Sequence, residues 1–217
     1  MASGRSKFQF AEYKTPMDKE YHPELDDSEF LDPEYMTRYQ SMVGSLNWVI
    51  TLGRFDIQYA VSTMARYNSA PRSGHLKAPI RVFGYLKKFD KGRLLIDPTL
   101  PEHEKYPYDD LNTWQDLYPD VVEEIPPDTP TPKGPKQQIT IWVDADHARD
   151  KVTCRSVTGV VIMINHTIAK TYTKRQSTVE SSTYGSELVA ARIATDLAME
   201  IRYARGENRW FSMNVRG

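Results

Sequence analysis

Prolines recur from Pro98 to Pro135 and crowd together at Ile125-Pro126-Pro127-Asp128-Thr129-Pro130-Thr131-Pro132. No regular helix or central strand can run through such a stretch, because proline lacks the amide donor and clashes with a preceding helical turn. Residues 97–128 also carry ten acidic groups against one basic. The segment 97–136 therefore reads as an acidic linker or irregular loop, too long for an ordinary connection inside one domain. It divides the chain into residues 1–35, an extended acidic arm broken by Pro16, Pro23 and Pro33; residues 36–96, a helical segment; and residues 137–217, which mix strands and helix. The aromatics Tyr106, Tyr108, Trp114 and Tyr118 could pin part of the linker to a neighbouring surface.

The net charge of -1 conceals a block pattern. Residues 1–35 hold four basic and nine acidic groups, residues 53–93 nine basic and two acidic, and residues 136–217 twelve basic and eight acidic. Basic blocks suit a polyanionic partner, although solvated helix faces give the same pattern. Cys154 is the only cysteine, so no intramolecular disulfide can form, which fits a reducing compartment. No run of apolar residues is long enough for a membrane span, and the N-terminus lacks an apolar secretion core. The expected location is the cytosol or nucleus.

Periodicity supplies the elements. Tyr39, Met42, Val43, Leu46, Val49 and Ile50 recur at spacings of three and four, which predicts a helix. Gly53-Arg54-Phe55-Asp56 interrupts it. Asp56 could cap a second helix carrying Ile57, Ala60, Val61, Met64 and Tyr67. Ser73 could cap a third, through Leu76, Ile80, Val82, Phe83, Tyr85 and Leu86, with a late start or a kink at Pro79. After the linker the period becomes two: Ile139, Ile141 and Val143 alternate with Thr140 and Trp142. Thr158–Ile164 and Thr167–Thr173 read as a hairpin around Asn165-His166. Helical spacing resumes from Ser182 to Arg205, with Leu188, Ala191, Ala194, Leu197, Ala198 and Ile201 expected on one face. Gly206 is a plausible stop, and Arg209–Val215 a possible strand.

Asp144 follows the first of these strands, and Glu187 opens the long helix. A strand ending in a carboxylate, a hairpin, then a helix starting with a second carboxylate is the layout of a metal-dependent nuclease centre. Hydrolysing a phosphodiester with two Mg²⁺ ions requires oxygen ligands, normally at least three carboxylates. Asp146 shares the strand face of Asp144 if the strand continues. Asp196 lies nine helical residues beyond Glu187, roughly 900° around the helix, so it faces away. Asp150 and Glu180 read as solvated loop charges. The plain alternative is that Asp144 merely ends a strand and Glu187 complements a helix dipole. His147 reads as packing or as a proton shuttle; Trp142 reads as outer-face packing. His75 and His166 carry no assigned chemistry.

Residues 139–205 resemble the RNase H domain of copia-type LTR retrotransposons. The family pattern Y-S-D-A-D-W-A-G-D followed by R-S-T-S-G-Y is similar to Val143-Asp144-Ala145-Asp146-His147-Ala148-Arg149-Asp150 and Arg155-Ser156-Val157-Thr158-Gly159. The pattern S-K-K-Q-x-T-V, continuing to a glutamate, is similar to Thr173-Lys174-Arg175-Gln176-Ser177-Thr178-Val179 and Ser186-Glu187-Leu188-Val189-Ala190. Residues 36–89 resemble the connection that joins reverse transcriptase to this domain. They carry Tyr39-Gln40-Ser41-Met42-Val43-Gly44-Ser45-Leu46, Asp56-Ile57, Ala60-Val61, and His75-Leu76-Lys77-Ala78 with Arg81-Val82 and Tyr85-Leu86.

The resemblance implies an α/β, RNase H-like fold: a three-stranded antiparallel β-meander followed by a long helix, incomplete relative to the family and preceded by a small helical segment. It implies cleavage of the RNA strand of an RNA–DNA hybrid with Mg²⁺ or Mn²⁺ held by Asp144, Glu187 and Asp146. Asp144 and Glu187 would be the catalytic pair. Arg155, Lys174, Arg175, Gln176, Ser177 and Ser182 would meet the substrate, with hydroxyls reaching 2′-OH groups and a helix N-terminus meeting phosphate. Partners would be the hybrid and the polymerase part of the same polyprotein, in virus-like particles. The helical segment lacks a paired-aspartate polymerase centre, so the chain should not copy nucleic acid. The family continues into a strand with a third aspartate, whereas residues 208–217 contain no acidic residue and only Asn214 could stand there. A catalytically inactive, hybrid-binding or structural remnant is the second expectation, and an unrelated α/β binding module the third.

Overall fold

Asp32 and Pro33 set the first helix. The Asp32 carboxylate accepts a hydrogen bond from the Tyr35 amide at 2.9 Å, and Pro33 occupies the first helical position, where its missing donor costs nothing. The computed structural model describes residues 11–101, 119–120, 128 and 137–204, with side chains as far as Ile201. Helix α1 (Pro33–Thr51) buries Tyr39, Val43, Leu46 and Ile50, one stripe at the expected spacing. Gly53 follows with φ +100°, a conformation that favours glycine, and its amide closes on the Ile50 carbonyl at 2.9 Å. Asp32→Ala should lower stability by about 1 kcal/mol. Urea denaturation reads this; no change would mean that Pro33 alone fixes the helix start.

The next two helices begin later than the capping residues suggested. Asp56 lies inside a 3-10 turn, Phe55–Ile57, and α2 (Gln58–Ala65) starts with no side-chain cap. The Asp56 carboxylate instead accepts from the Arg54 guanidinium at 3.0 and 2.9 Å and from the Tyr85 hydroxyl at 2.8 Å. Ser73 likewise opens a 3-10 turn, Ser73–Leu76, and α3 runs from Lys77 to Lys88. The late start expected from Pro79 is present: proline is the third residue of α3, within the turn whose amides have no helical acceptor. The core joins Tyr39, Val43, Leu46, Ile57, Ala60, Val61, Met64 and Val82. Ile80, expected on the apolar face of α3, is 41% exposed.

The described part of the acidic arm carries a 3-10 turn, Pro23–Leu25, rather than being extended throughout, and is fastened to the helices. Leu31 donates to the Pro71 carbonyl at 3.0 Å, Ser73 to the Glu29 carbonyl at 2.9 Å, and Phe30 bridges Arg72. His75 is buried between them. Its Nδ1 accepts from the Arg72 amide at 3.1 Å and its Nε2 lies 3.0 Å from the Pro23 carbonyl, so it ties the arm to the start of α3.

The second half forms an α/β layer. Strands β1 (Ile139–Asp146), β2 (Val157–Ile164) and β3 (Thr167–Arg175) make an antiparallel meander in the order β1-β2-β3. Asn165 turns the hairpin with φ +53°, and its side-chain amide donates to the Pro98 carbonyl at 2.7 Å and to Gln137 at 2.8 Å. Helix α4 (Thr183–Ala204) packs on one face of the sheet through Ala190, Ala194 and Ala198, against Ile139, Ile141, Val143, Ala145, Val160 and Ile162. Leu188, expected on this face, is 60% exposed. The alanine stripe wins because small side chains let the helix approach the sheet closely enough to bury both surfaces.

The two halves touch on the other face of the sheet. There α2 lies against β3, and the Ser62 hydroxyl donates to the Thr173 carbonyl at 2.7 Å. No helix among the described residues is long and apolar enough to cross a membrane. The helix stop at Gly206, the strand at Arg209–Val215, Asn214 and the linker aromatics Tyr106, Tyr108, Trp114 and Tyr118 lie outside the described residues.

Candidate functional site

Strand β1 continues past Asp144 to Asp146, and its alternation decides where each carboxylate points. Val143 and Ala145 face α4, so Trp142, Asp144 and Asp146 share the opposite, more exposed face. Asp144 pairs with Gly159 of β2, and a Cβ placed on Gly159 would meet nothing within 4 Å. This open floor belongs to a cavity of about 460 Å³ bounded by Phe55, Gln58 and Tyr59 from the helical segment and by Trp142, Asp144 and Thr173 from the sheet. Asp146 lies 3.7 Å from the Arg149 guanidinium.

Glu187 is the fifth residue of α4 and is partly exposed, on the helix that covers the other face of β1. Carboxylate oxygens are the donor type that Mg²⁺ and Mn²⁺ require, and Asp144 and Asp146 stand on one face two residues apart. Among the described residues, no three His, Cys, Asp or Glu side chains converge as a metal site. The chemistry of these donors fits the ion, but the described arrangement does not close around it.

The expected substrate contacts separate into exposed and internal groups. Lys174 and Ser177 are exposed, and Arg155 is partly exposed. Ser182 is exposed and caps α4, accepting from the Gly185 amide at 3.2 Å. Gln176 requires a correction: it is 3% exposed and cannot present its amide to a substrate. Its Nε2 donates to Thr158 Oγ1 at 3.0 Å and to the Ser186 carbonyl at 2.9 Å, while Oε1 is buried with no partner among the described residues. Arg175 is also engaged within the protein, donating to Asp150 at 2.6 Å.

Asp150 is the second correction. It is not a solvated loop charge but is 1% exposed, and it accepts from Arg66 of the segment after α2 as well as from Arg175. The amides of Val152 and Thr153 reach its other oxygen at 3.2 and 2.9 Å. Burial pushes this carboxyl upward, but the Thr153 amide and the two guanidinium groups outweigh it and bring the pKa down to about 2. Sequence spacing gave no sign of the cluster beyond an acidic residue within a loop.

The neighbouring loop residues extend the same junction. Arg149 donates to the Tyr59 hydroxyl and to the Lys19 and Tyr21 carbonyls, each at 3.2 Å, and the Lys151 amide donates to Glu24 at 3.1 Å. The Glu24 carboxyl is raised by burial, yet lowered overall by this amide and by His22. His147 lies in the same loop, its Nδ1 3.3 Å from Ser186 Oγ and 3.5 Å from Ser156 Oγ. Trp142 stands on the outer face, as expected, and lines the cavity beside Asp144.

No protein-family model matches the chain, and no solved structure matches it. Among curated proteins, the putative transposon Ty5-1 protein of Saccharomyces cerevisiae is 45% identical over 51 residues. The aligned stretch covers 24% of this chain and 17% of that protein's length. The chain thus shares one short stretch with a transposon protein and spans under a fifth of that protein's length.

Proposed function

We propose that the chain is the connection and RNase H-like part of a copia-type retrotransposon polyprotein. In this reading it binds an RNA–DNA hybrid and cleaves its RNA strand with Mg²⁺ or Mn²⁺ held by Asp144, Glu187 and Asp146. The observation that carries the reading is the order of elements around the carboxylates. A meander bears Asp144 and Asp146 on its first strand, and the helix that packs on that strand bears Glu187 in its first turns. The retrotransposon match and the family-like motifs support the same origin. The metal, when bound, would supply charge stabilisation and an activated water. The protein's own part is to present the carboxylates and to meet the phosphate backbone through Lys174, Arg155 and the capped start of α4.

A labelled hybrid incubated with Mg²⁺ tests the proposal. Wild type should shorten the RNA strand, and Asp144→Asn and Glu187→Gln should not. Equal cleavage by all three would assign the activity to a contaminant and remove the enzyme reading. Binding without cleavage would favour the second reading, a hybrid-binding remnant. One observation favours that alternative: Asp144 points away from the sheet face that α4 covers. In either reading hybrid affinity should fall steeply between low and physiological salt, because phosphate contacts release counterions.

A further inference from the structure

The cavity on the outer face of the sheet is built on two cross-strand rungs. Asp144, Gly159 and Thr173 stand side by side across β1, β2 and β3, and Trp142, Val161 and Thr171 form the next outward-facing rung. Phe55, Gln58 and Tyr59 of the helical segment line the side facing them. Gly159 brings no side chain, so the floor between Asp144 and Thr173 is an open slot. No lysine, arginine or histidine lines this space of about 460 Å³. Of its two carboxylates, Asp56 is matched by the Arg54 guanidinium at 2.9 Å. Asp144 receives no hydrogen bond and no ion pair among the described residues. The slot therefore combines aromatic walls with one uncompensated negative charge.

We propose that this cleft binds the guanidinium group of an arginine side chain on a partner peptide. A carboxylate without a counter-charge, beside aromatic rings in a partly enclosed space, attracts a cation, and cation–π attraction strengthens as water is excluded. Guanidinium also has the right shape. Its faces stack on aromatic rings, here Trp142 and Tyr59, and its edge donates two parallel bonds to one carboxylate, here Asp144. An ammonium is more strongly hydrated and offers no plane, so lysine fits less well. A phosphate would meet carboxylates and no cation in this lining, which disfavours a nucleotide backbone. Free arginine brings its own carboxylate, which the same lining repels, whereas an arginine within a peptide does not. The site rests on neither the metal nor the nuclease reading, because it uses Asp144 with no divalent ion present.

Titration of the full chain with N-acetyl-arginine amide, in EDTA and at low salt, tests the proposal through the NMR shifts of the Gly159 amide and the Trp142 indole. Both signals should move and saturate at millimolar ligand. The matching citrulline amide, equal in shape but uncharged, should give no saturable shift, and the lysine amide should bind at least about threefold more weakly. Asp144→Asn should weaken arginine binding about tenfold or more. Gly159→Val fills the slot with a side chain that strands favour, so binding should be lost while the circular dichroism spectrum is kept. Should that variant fail to fold, the contrast between arginine and citrulline in wild type still decides. Equal binding of the citrulline amide overturns the proposal. So does unaltered affinity in both variants, which places the contact elsewhere on the surface. Guanosine moving the same two signals more strongly than the arginine amide overturns it in favour of a base site. With divalent ions removed and no hybrid present, failure here is separate from failure of the nuclease reading.

Discussion

Asp150→Ala is expected to destabilise the protein by about 3–5 kcal/mol, the range for removing one partner from a buried ion-pair network. Asp150 is 1% exposed and serves two guanidinium groups and two loop amides at once. Without it, Arg66 and Arg175 face each other in a partly desolvated space, and the loop after β1 loses its internal acceptor. Asp150→Asn, which keeps the shape but not the charge, should recover part of the loss. Urea denaturation measures both. A cost below about 1 kcal/mol for Asp150→Ala would show that the cluster behaves as an ordinary surface pair.

The same group dictates a response to acid. Its folded pKa of about 2 lies below the usual carboxylate value of 3.8, so between these limits the unfolded chain binds more protons than the folded one. The stabilisation is complete above the unfolded value and disappears as pH falls toward 2. Linkage gives about 2 kcal/mol for this one carboxyl. Wild type should lose more stability than Asp150→Asn between pH 5 and pH 2, on the order of that amount, in thermal melts. Equal losses would remove Asp150 from the account of acid sensitivity.

The second large effect concerns chemistry. Asp144→Asn and Glu187→Gln should each lower hybrid cleavage by at least about 10²-fold, since each metal contributes several kcal/mol of charge stabilisation and tenfold in rate is 1.36 kcal/mol. Neither substitution should disturb the fold, because Asp144 is exposed on the outer sheet face and Glu187 is partly exposed on α4. Circular dichroism and hybrid affinity at low salt provide the control. A variant that stays folded, binds hybrid and cuts at the wild-type rate would exclude that carboxylate from the site.

The sequence exposed these carboxylates because their surroundings are periodic. Alternation of Ile139, Ile141 and Val143 with polar neighbours marked β1, and the spacing of Tyr39, Val43, Leu46 and Ile50 marked α1. Local pattern failed where partners are distant in the chain. Arg66 and Arg175 lie 84 and 25 residues from Asp150, so nothing beside Asp150 signals its burial. Gln176 looked like a substrate contact because a polar, basic neighbourhood surrounds it, whereas its role comes from Thr158 and Ser186 meeting it in space. On α4 the expected Ala194, Leu197, Ala198 and Ile201 do pack on the sheet, and Leu188 does not. Hydrophobicity favours Leu188, but close approach to the sheet favours Ala190. Asp56 and Ser73 have the side chains of helix caps, yet 3-10 turns precede both helices, and the Asp56 carboxylate pairs with Arg54 and Tyr85 instead.

Titration of Mn²⁺ into wild type, Asp144→Asn and Glu187→Gln tests the central claim most directly, because it asks whether the two carboxylates serve one ion. The account predicts a wild-type site that both single substitutions weaken tenfold or more, with the double variant no worse than about the weaker single, as expected for ligands that act as a unit. Mn²⁺ binding of equal strength in all forms, or lost in neither variant, would contradict it.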